Sequence, residues 1–209
     1  MESVTRPSLA EQQVLRIVDR HFGCAPSKVE EVLDGWFSCI YRLKMLDGTE
    51  LILKVAPSKT VQLLRYESNA MTTEVESMQL IRERTDVPVP RIFCHDVSHA
   101  IIPHDYFIAE ALAGVALNRV REQMEESKQD KVDRQVGLHL RQLHEIHGEG
   151  FGAFSGPLHA SMPEAFRWLV FDLGCDAEEF SVPDVFEGLT LAHAHADALS
   201  EVKQPSLVH

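Results

Sequence analysis

The spacing of apolar positions changes along this 209-residue chain, and each change marks an element. Val14, Leu15, Val18 and Phe22 recur at helical spacing, Ser8 and Glu11 stand three apart ahead of them as a capping box, and Gly23 is placed to end the helix. From Val29 the period falls toward two. Val32 and Leu33 lead to 39–45, where Tyr41, Leu43 and Met45 alternate with Arg42 and Lys44 as in a half-buried strand. Asp47-Gly48 suits a type I′ turn, and 50–56 reads as the returning strand. Met71, Val75, Met78 and Ile81 then predict a helix over 69–84 that stops before Pro88, because the residue ahead of a proline avoids the helical region. Two further strands follow, at 91–94 and 106–109.

Beyond residue 115 the texture is helical. Val132, Val136, Leu140 and Leu143 mark one face of a helix ending near 148–150, Trp168 to Phe171 form an apolar run, and 186–199 reads as one alanine-rich helix. The shift near Gly114 separates a mostly β half from a mostly α half. This order predicts an α+β fold in which 25–110 form an antiparallel sheet of about five strands with the 69–84 helix packed on it.

Composition narrows the function classes. The chain is 44% hydrophobic and 25% charged, ordinary globular values, and no run of about 18 uncharged apolar residues exists to span a membrane. The start, Met1 to Gln13, lacks the basic head and apolar centre of a signal peptide, so the cytoplasm is the expected compartment. Net charge is −12, of which residues 1–100 carry −2 and residues 101–209 carry −10. Such a chain repels phosphate backbones, which argues against a nucleic-acid partner. Cys24, Cys39, Cys94 and Cys175 have no C-x-x-C pair, so free and mostly buried thiols are expected.

Lys54 is the first candidate for chemistry. It lies in Leu51-Ile-Leu-Lys-Val-Ala56, a strand otherwise apolar, so its ammonium must snorkel to an edge or meet an anion. Glu74 lies twenty residues on in the 69–84 helix, and a strand lysine held by a helix carboxylate is the device with which kinases grip ATP phosphates. An edge-strand gatekeeper lysine accounts for Lys54 equally well at this level. The turn between the first two strands, Leu33 to Ile40, holds Gly35 and Ser38, and a tight loop there can gather amide dipoles on an anion. Only Gly35 of a G-x-G-x-x-G pattern is present, however, and a plain β-turn reads as well.

Order and spacing together carry a resemblance. Lys54, then Glu74-Val-Glu-Ser-Met-Gln-Leu-Ile81, Val87-Pro-Val-Pro-Arg91, Tyr106-Phe-Ile-Ala-Glu-Ala-Leu-Ala-Gly114, Leu140-Arg-Gln-Leu-His144 and Phe151-Gly152 resemble the aminoglycoside phosphotransferase family of kinase-like enzymes. The resemblance spans roughly 25–209. It implies a protein-kinase-like fold: an N-terminal helix (1–24), an N-lobe with hinge (25–114) and a partial, mostly helical C-lobe (115–209). It also implies ATP and Mg²⁺ as cofactors, a small-molecule hydroxyl acceptor such as an aminoglycoside, and a nucleotide site drawn from Lys54, Glu74, Gly35, Ser38 and Glu110. Backbone groups of Ala111 and Leu112 would meet the adenine edge.

The same resemblance implies a catalytic loop opening on His-Gly-Asp, with an Asn and a second Asp beyond. Gln204-Pro-Ser-Leu-Val-His209 reads like the entry to that loop, which makes His209 its first residue. The catalytic Asp and the Mg²⁺ ligands are then expected beyond residue 209, and the chain is expected to be inactive alone. A non-catalytic nucleotide-binding or interaction module is the alternative reading.

The histidine pairs His193/His195 and His144/His147 are expected to be structural or solvent-exposed, since neither brings a zinc signature. Glu178, Glu179, Asp184 and Glu187 could line a site for a cationic substrate or form a solvated surface. No G-x-S-x-G elbow points to a hydrolase.

Overall fold

A computed structural model of the chain describes residues 6–33, 37–182 and 186–208. Their contacts divide them into two compact units. Described residues of 1–62, 74–79 and 88–119 form the first, and those of 63–73, 80–87 and 120–209 the second.

The first unit is built on a five-stranded antiparallel sheet: β1 (Lys28–Val32), β2 (Cys39–Lys44), β3 (Glu50–Val55), β4 (Ile92–Asp96) and β5 (Tyr106–Glu110), in the order β1-β2-β3-β5-β4. Period-two alternation gives the sheet two unlike faces. In register, Cys39 pairs with Val55, Tyr41 with Leu53 and Leu43 with Leu51, while Leu53 and Val55 face Ile108 and Tyr106. This face meets helix α1 (Glu11–Phe22), whose Val14, Ile17 and Val18 are fully buried in the same core. Burying each such side chain stabilises the unit by about 1.5–3 kcal/mol. The opposite face carries Ile40, Lys54 and Phe107 in one row and Arg42, Ile52 and Ala109 in the next.

The start of α1 differs from the pattern. Ala10 is the N-cap, with Gln13 Oε1 accepting its amide at 2.9 Å, and Ser8 is exposed. The reason lies one residue away. Leu9 is buried and its amide donates to the Tyr41 hydroxyl at 2.9 Å, which holds the chain outside the helix there. The other end is as expected: Gly23 takes φ 67° and its amide donates to the Asp19 carbonyl.

Asp47-Gly48 does not make a type I′ turn. Gly48 N–H donates to the Met45 carbonyl at 3.1 Å and Met45 N–H to Thr49 O at 2.8 Å, which closes a three-residue loop, Leu46-Asp47-Gly48. Only Gly48, at φ 87°, is in the left-handed region, because Asp47 Oδ1 takes the Thr49 amide instead. That loop needs a single positive φ and puts it on glycine.

Helix α2 (Ala70–Arg84) stops where the sequence says it should. Thr85 is extended, and both its amide and its hydroxyl donate to the Ile81 carbonyl, three residues ahead of Pro88. Residues 74–79 of α2 belong to the first unit. The short helix α3 (Leu117–Val120) follows the sheet.

The second unit contains α4 (Glu126–His144), a hairpin of β6 (Phe151–Gly152) and β7 (Leu158–His159), α5 (Met162–Glu179), α6 (Phe186–Ala194) and α7 (Ala196–Leu199). The α4 helix ends earlier than its pattern predicts. Leu207 N–H donates to Ile146 O at 2.9 Å and Gly148 N–H to Pro205 O at 3.1 Å, so 146–148 are paired with 205–207 rather than helical. In the hairpin, Gly152 has φ 155°, and a Cβ there would lie 2.2 Å from the Pro157 carbonyl oxygen. The run Trp168 to Phe171 lies inside α5. The single helix expected over 186–199 is two, because His195 (φ −105°, ψ 15°) leaves helical geometry between α6 and α7.

Among the described residues, no helix is long and apolar enough to cross a membrane. All four cysteines are free: Cys39 is buried, Cys94 and Cys175 are half-buried, and Cys24 is exposed. Burial pushes the Cys94 thiol up to about 11, which keeps it protonated at neutral pH.

Candidate functional site

Lys54 lies near the middle of the first unit's sheet, with Ile40 beside it on β2 and Phe107 beside it on β5. A cation on such a surface needs an anion or an exit to water. Glu74, one turn into α2, supplies the anion. Lys54 Nζ donates to both Glu74 oxygens, at 2.7 Å to Oε1 and 2.6 Å to Oε2. Glu76 is exposed, as its position two residues round the helix requires. The ammonium also stands 6.0 Å from the Phe107 ring centroid, and Phe107 is 3% exposed.

An ammonium has three donors, and Glu74 takes two of them. The side chain of Lys54 remains 23% exposed, so the third can be reached from outside. Lys54 is therefore oriented by its carboxylate without being sealed by it.

The other residues singled out in the sequence lie around this pair to different degrees. Ser38, immediately ahead of β2, is buried. Gly35 and His209 lie outside the described residues. Glu110 ends β5, its amide donating to Arg91 O while its carboxylate accepts the Arg91 amide at 3.4 Å. Ala111 N–H donates to the Glu50 carbonyl at 3.2 Å, so this amide is already committed to the edge of the β3–β5 ladder. Leu112 is exposed. Sequence reasoning missed Phe107. Its place beside Lys54 depends on the register of β3 against β5, which no local pattern encodes.

Elsewhere the acidic residues behave unequally. Glu179 is ion-paired with Arg65, which also engages Asp176 and, at 3.6 Å, Asp172. Glu178 is exposed, Asp184 lies outside the described residues, and the Glu187 side chain is likewise not described. His147 Nδ1 lies 3.3 Å from Ser206 Oγ, and His144, His193 and His195 are exposed. Among the described residues no group of three His, Cys, Asp or Glu side chains could hold a metal ion. A cavity of about 430 Å³ in the second unit, bounded by Arg84, Gln142 and His147, contains none of the residues named for the site.

A five-stranded antiparallel sheet whose central lysine is held by a helix carboxylate, followed in the chain by helices, is a kinase-like architecture. The chain belongs to the phosphotransferase enzyme family (APH), whose model matches residues 28–209. Solved structures agree on the fold. A candidate fructosamine-3-kinase from Thermobifida fusca is 18% identical, with a TM-score of 0.62 over 96% of this chain and 67% of its own. A thermostable variant of aminoglycoside phosphotransferase APH(4)-Ia, in ternary complex with AMP-PNP and hygromycin B, is 16% identical, with a TM-score of 0.54 over 88% of this chain and 58% of its own. APH(4)-Ia itself gives 15% identity and a TM-score of 0.53, covering 78% of this chain and 51% of its own. The chain thus spans between half and two thirds of the length of these proteins. A comparison with proteins of curated function finds no match.

Proposed function

We propose that this chain carries the nucleotide-gripping part of an ATP-dependent small-molecule kinase, one that transfers the γ-phosphate to a hydroxyl of an aminoglycoside-like or other small acceptor. The observation that carries the reading is the two-oxygen grip of Glu74 on Lys54, which leaves one ammonium hydrogen for a phosphate oxygen. In this reading 25–114 act as the nucleotide lobe, and 115–209 form part of the helical lobe that follows. The adenine edge meets the backbone beyond Glu110. With the Ala111 amide already donating to Glu50, the donor offered to the base is the Leu112 amide. Family membership and the solved relatives, one of them complexed with AMP-PNP and hygromycin B, support the class of reaction.

Mg²⁺ belongs to this chemistry, where it neutralises charge on the transferring phosphoryl group. The described residues offer it no group of three His, Cys, Asp or Glu ligands. What this chain's own residues do is orient: Glu74 fixes Lys54, and Lys54 fixes the phosphates.

Incubation of the chain with Mg²⁺, γ-labelled ATP and a panel of aminoglycosides, fructosamines and amino alcohols tests the proposal. Transfer of label to one acceptor supports it in full. Saturable ATP binding without transfer to any acceptor leaves the nucleotide grip standing and the acceptor unassigned, and no ATP binding overturns the proposal.

A further inference from the structure

The row Ile40, Lys54, Phe107 crosses three neighbouring strands on one face of the sheet. In it, Lys54 is flanked by an aliphatic side chain on one strand and an aromatic ring on the other. The ring is 3% exposed, and the ammonium sits 6.0 Å from its centroid, at the outer reach of a cation–π contact. Glu74 meanwhile holds two of the three ammonium hydrogens.

We infer that Phe107 is a positioning residue for Lys54: its ring closes one side of the ammonium, so that with Glu74 in place the third N–H has a single open direction, toward an anion. A lysine stem has four rotatable bonds, and a carboxylate alone leaves the ammonium free to roll about the pair. A buried ring limits that freedom in two ways. It keeps water from competing for the third hydrogen on its own side, and its negative face attracts the cation. The inference rests on the reading of Lys54 as a phosphate grip and adds to it the residue that aims the grip.

The test compares ADP with adenosine, which share the base and sugar and differ in the phosphates. Titrations of the full chain and of Phe107→Leu, Phe107→Tyr and Lys54→Met measure both ligands, with thermal unfolding recorded alongside. Phe107→Leu keeps an apolar side chain and removes the ring; it should weaken ADP about two- to fivefold, the scale of a cation–π contact, and leave adenosine unchanged. Phe107→Tyr restores the ring and should bind ADP like the parent. Equal weakening of ADP and adenosine in Phe107→Leu, no change in either, or failure of Phe107→Tyr to rescue ADP binding would overturn the inference. If Lys54→Met binds ADP as tightly as the parent, the phosphate-grip reading itself falls. If only Lys54→Met weakens ADP, that reading stands and the role of Phe107 is refuted. Should Phe107→Leu unfold, Phe107→Met supplies the ringless side chain for the same comparison.

Discussion

Both carboxylate oxygens of Glu74 accept hydrogen bonds from the one ammonium of Lys54, although the two residues lie twenty positions apart and on different kinds of element. One residue belongs to the sheet and the other to the helix over it, so the pair fixes the direction of Lys54 only while the α2 backbone stays in place. Glu74→Gln keeps the shape and removes the charge. It should weaken ATP binding about tenfold, equivalent to roughly 1.4 kcal/mol. Glu76→Gln, altering an exposed side chain on the same helix, should leave ATP affinity unchanged. Calorimetric titration of the two variants distinguishes them, and an equal effect from both would remove the special role given to Glu74.

The sheet face opposite Lys54 depends on α1. Ile17 is fully buried against the strands, and Ile17→Ala should cost about 2–5 kcal/mol through lost transfer energy and the cavity left behind. Urea unfolding measures this. A cost below about 0.5 kcal/mol, the range of ordinary surface substitutions, would mean that α1 does not cover the core as described.

How much of this could be read from sequence depends on how local each signal is. Lys54 was legible because a single cation interrupts an apolar strand, and Glu74 because it falls on a helix of clear period. The succession of five strands along the chain followed from their spacing, whereas their order within the sheet, with β5 between β3 and β4, did not. By contrast, α5 was hidden because four consecutive apolar residues, Trp168 to Phe171, blur the 3.6 period within its 18 residues. The β6–β7 hairpin has strands of two residues, too short for any alternation to show. The loop at Asp47 was misjudged because its hydrogen bond to the Thr49 amide is a side-chain choice that the dipeptide does not dictate. Phe107 reached the site only through inter-strand register.

Among the glycines described, Gly152 is the one where both backbone and space forbid a side chain. Gly152→Ala should destabilise the β6–β7 hairpin by about 1–3 kcal/mol, because φ 155° is strained for alanine and the new Cβ would overlap the Pro157 carbonyl. Gly137→Ala, on α4 with no atom within 4 Å of the added Cβ, should be neutral or stabilising. A comparison of melting temperatures checks the contrast, and similar shifts would contradict it.

Asp96 gives a pH dependence of known sign. Its carboxylate accepts the Ser98 hydroxyl at 2.6 Å, the Ser98 amide at 2.7 Å and the Tyr106 hydroxyl at 3.1 Å, and these bonds hold it below the usual carboxylate range, the Ser98 hydroxyl most of all. A group depressed in the folded state contributes stability that is present above its unfolded value, near 3.9, and lost as pH falls through the folded one. Urea midpoints measured from pH 5 downward should therefore fall more steeply for the parent than for Asp96→Asn below about pH 4. Parallel curves would show that Asp96 contributes nothing to acid sensitivity.

That Lys54 grips the phosphates of a nucleotide is tested by ATP affinity with Lys54 changed to methionine. Methionine keeps the unbranched apolar stem and removes the ammonium, so the strand and its neighbours stay packed. Lys54→Met should bind ATP at least about tenfold more weakly than the parent, a loss of roughly 1.4 kcal/mol or more, with adenosine affinity and thermal stability little changed. ATP bound equally tightly by parent and Lys54→Met would contradict it.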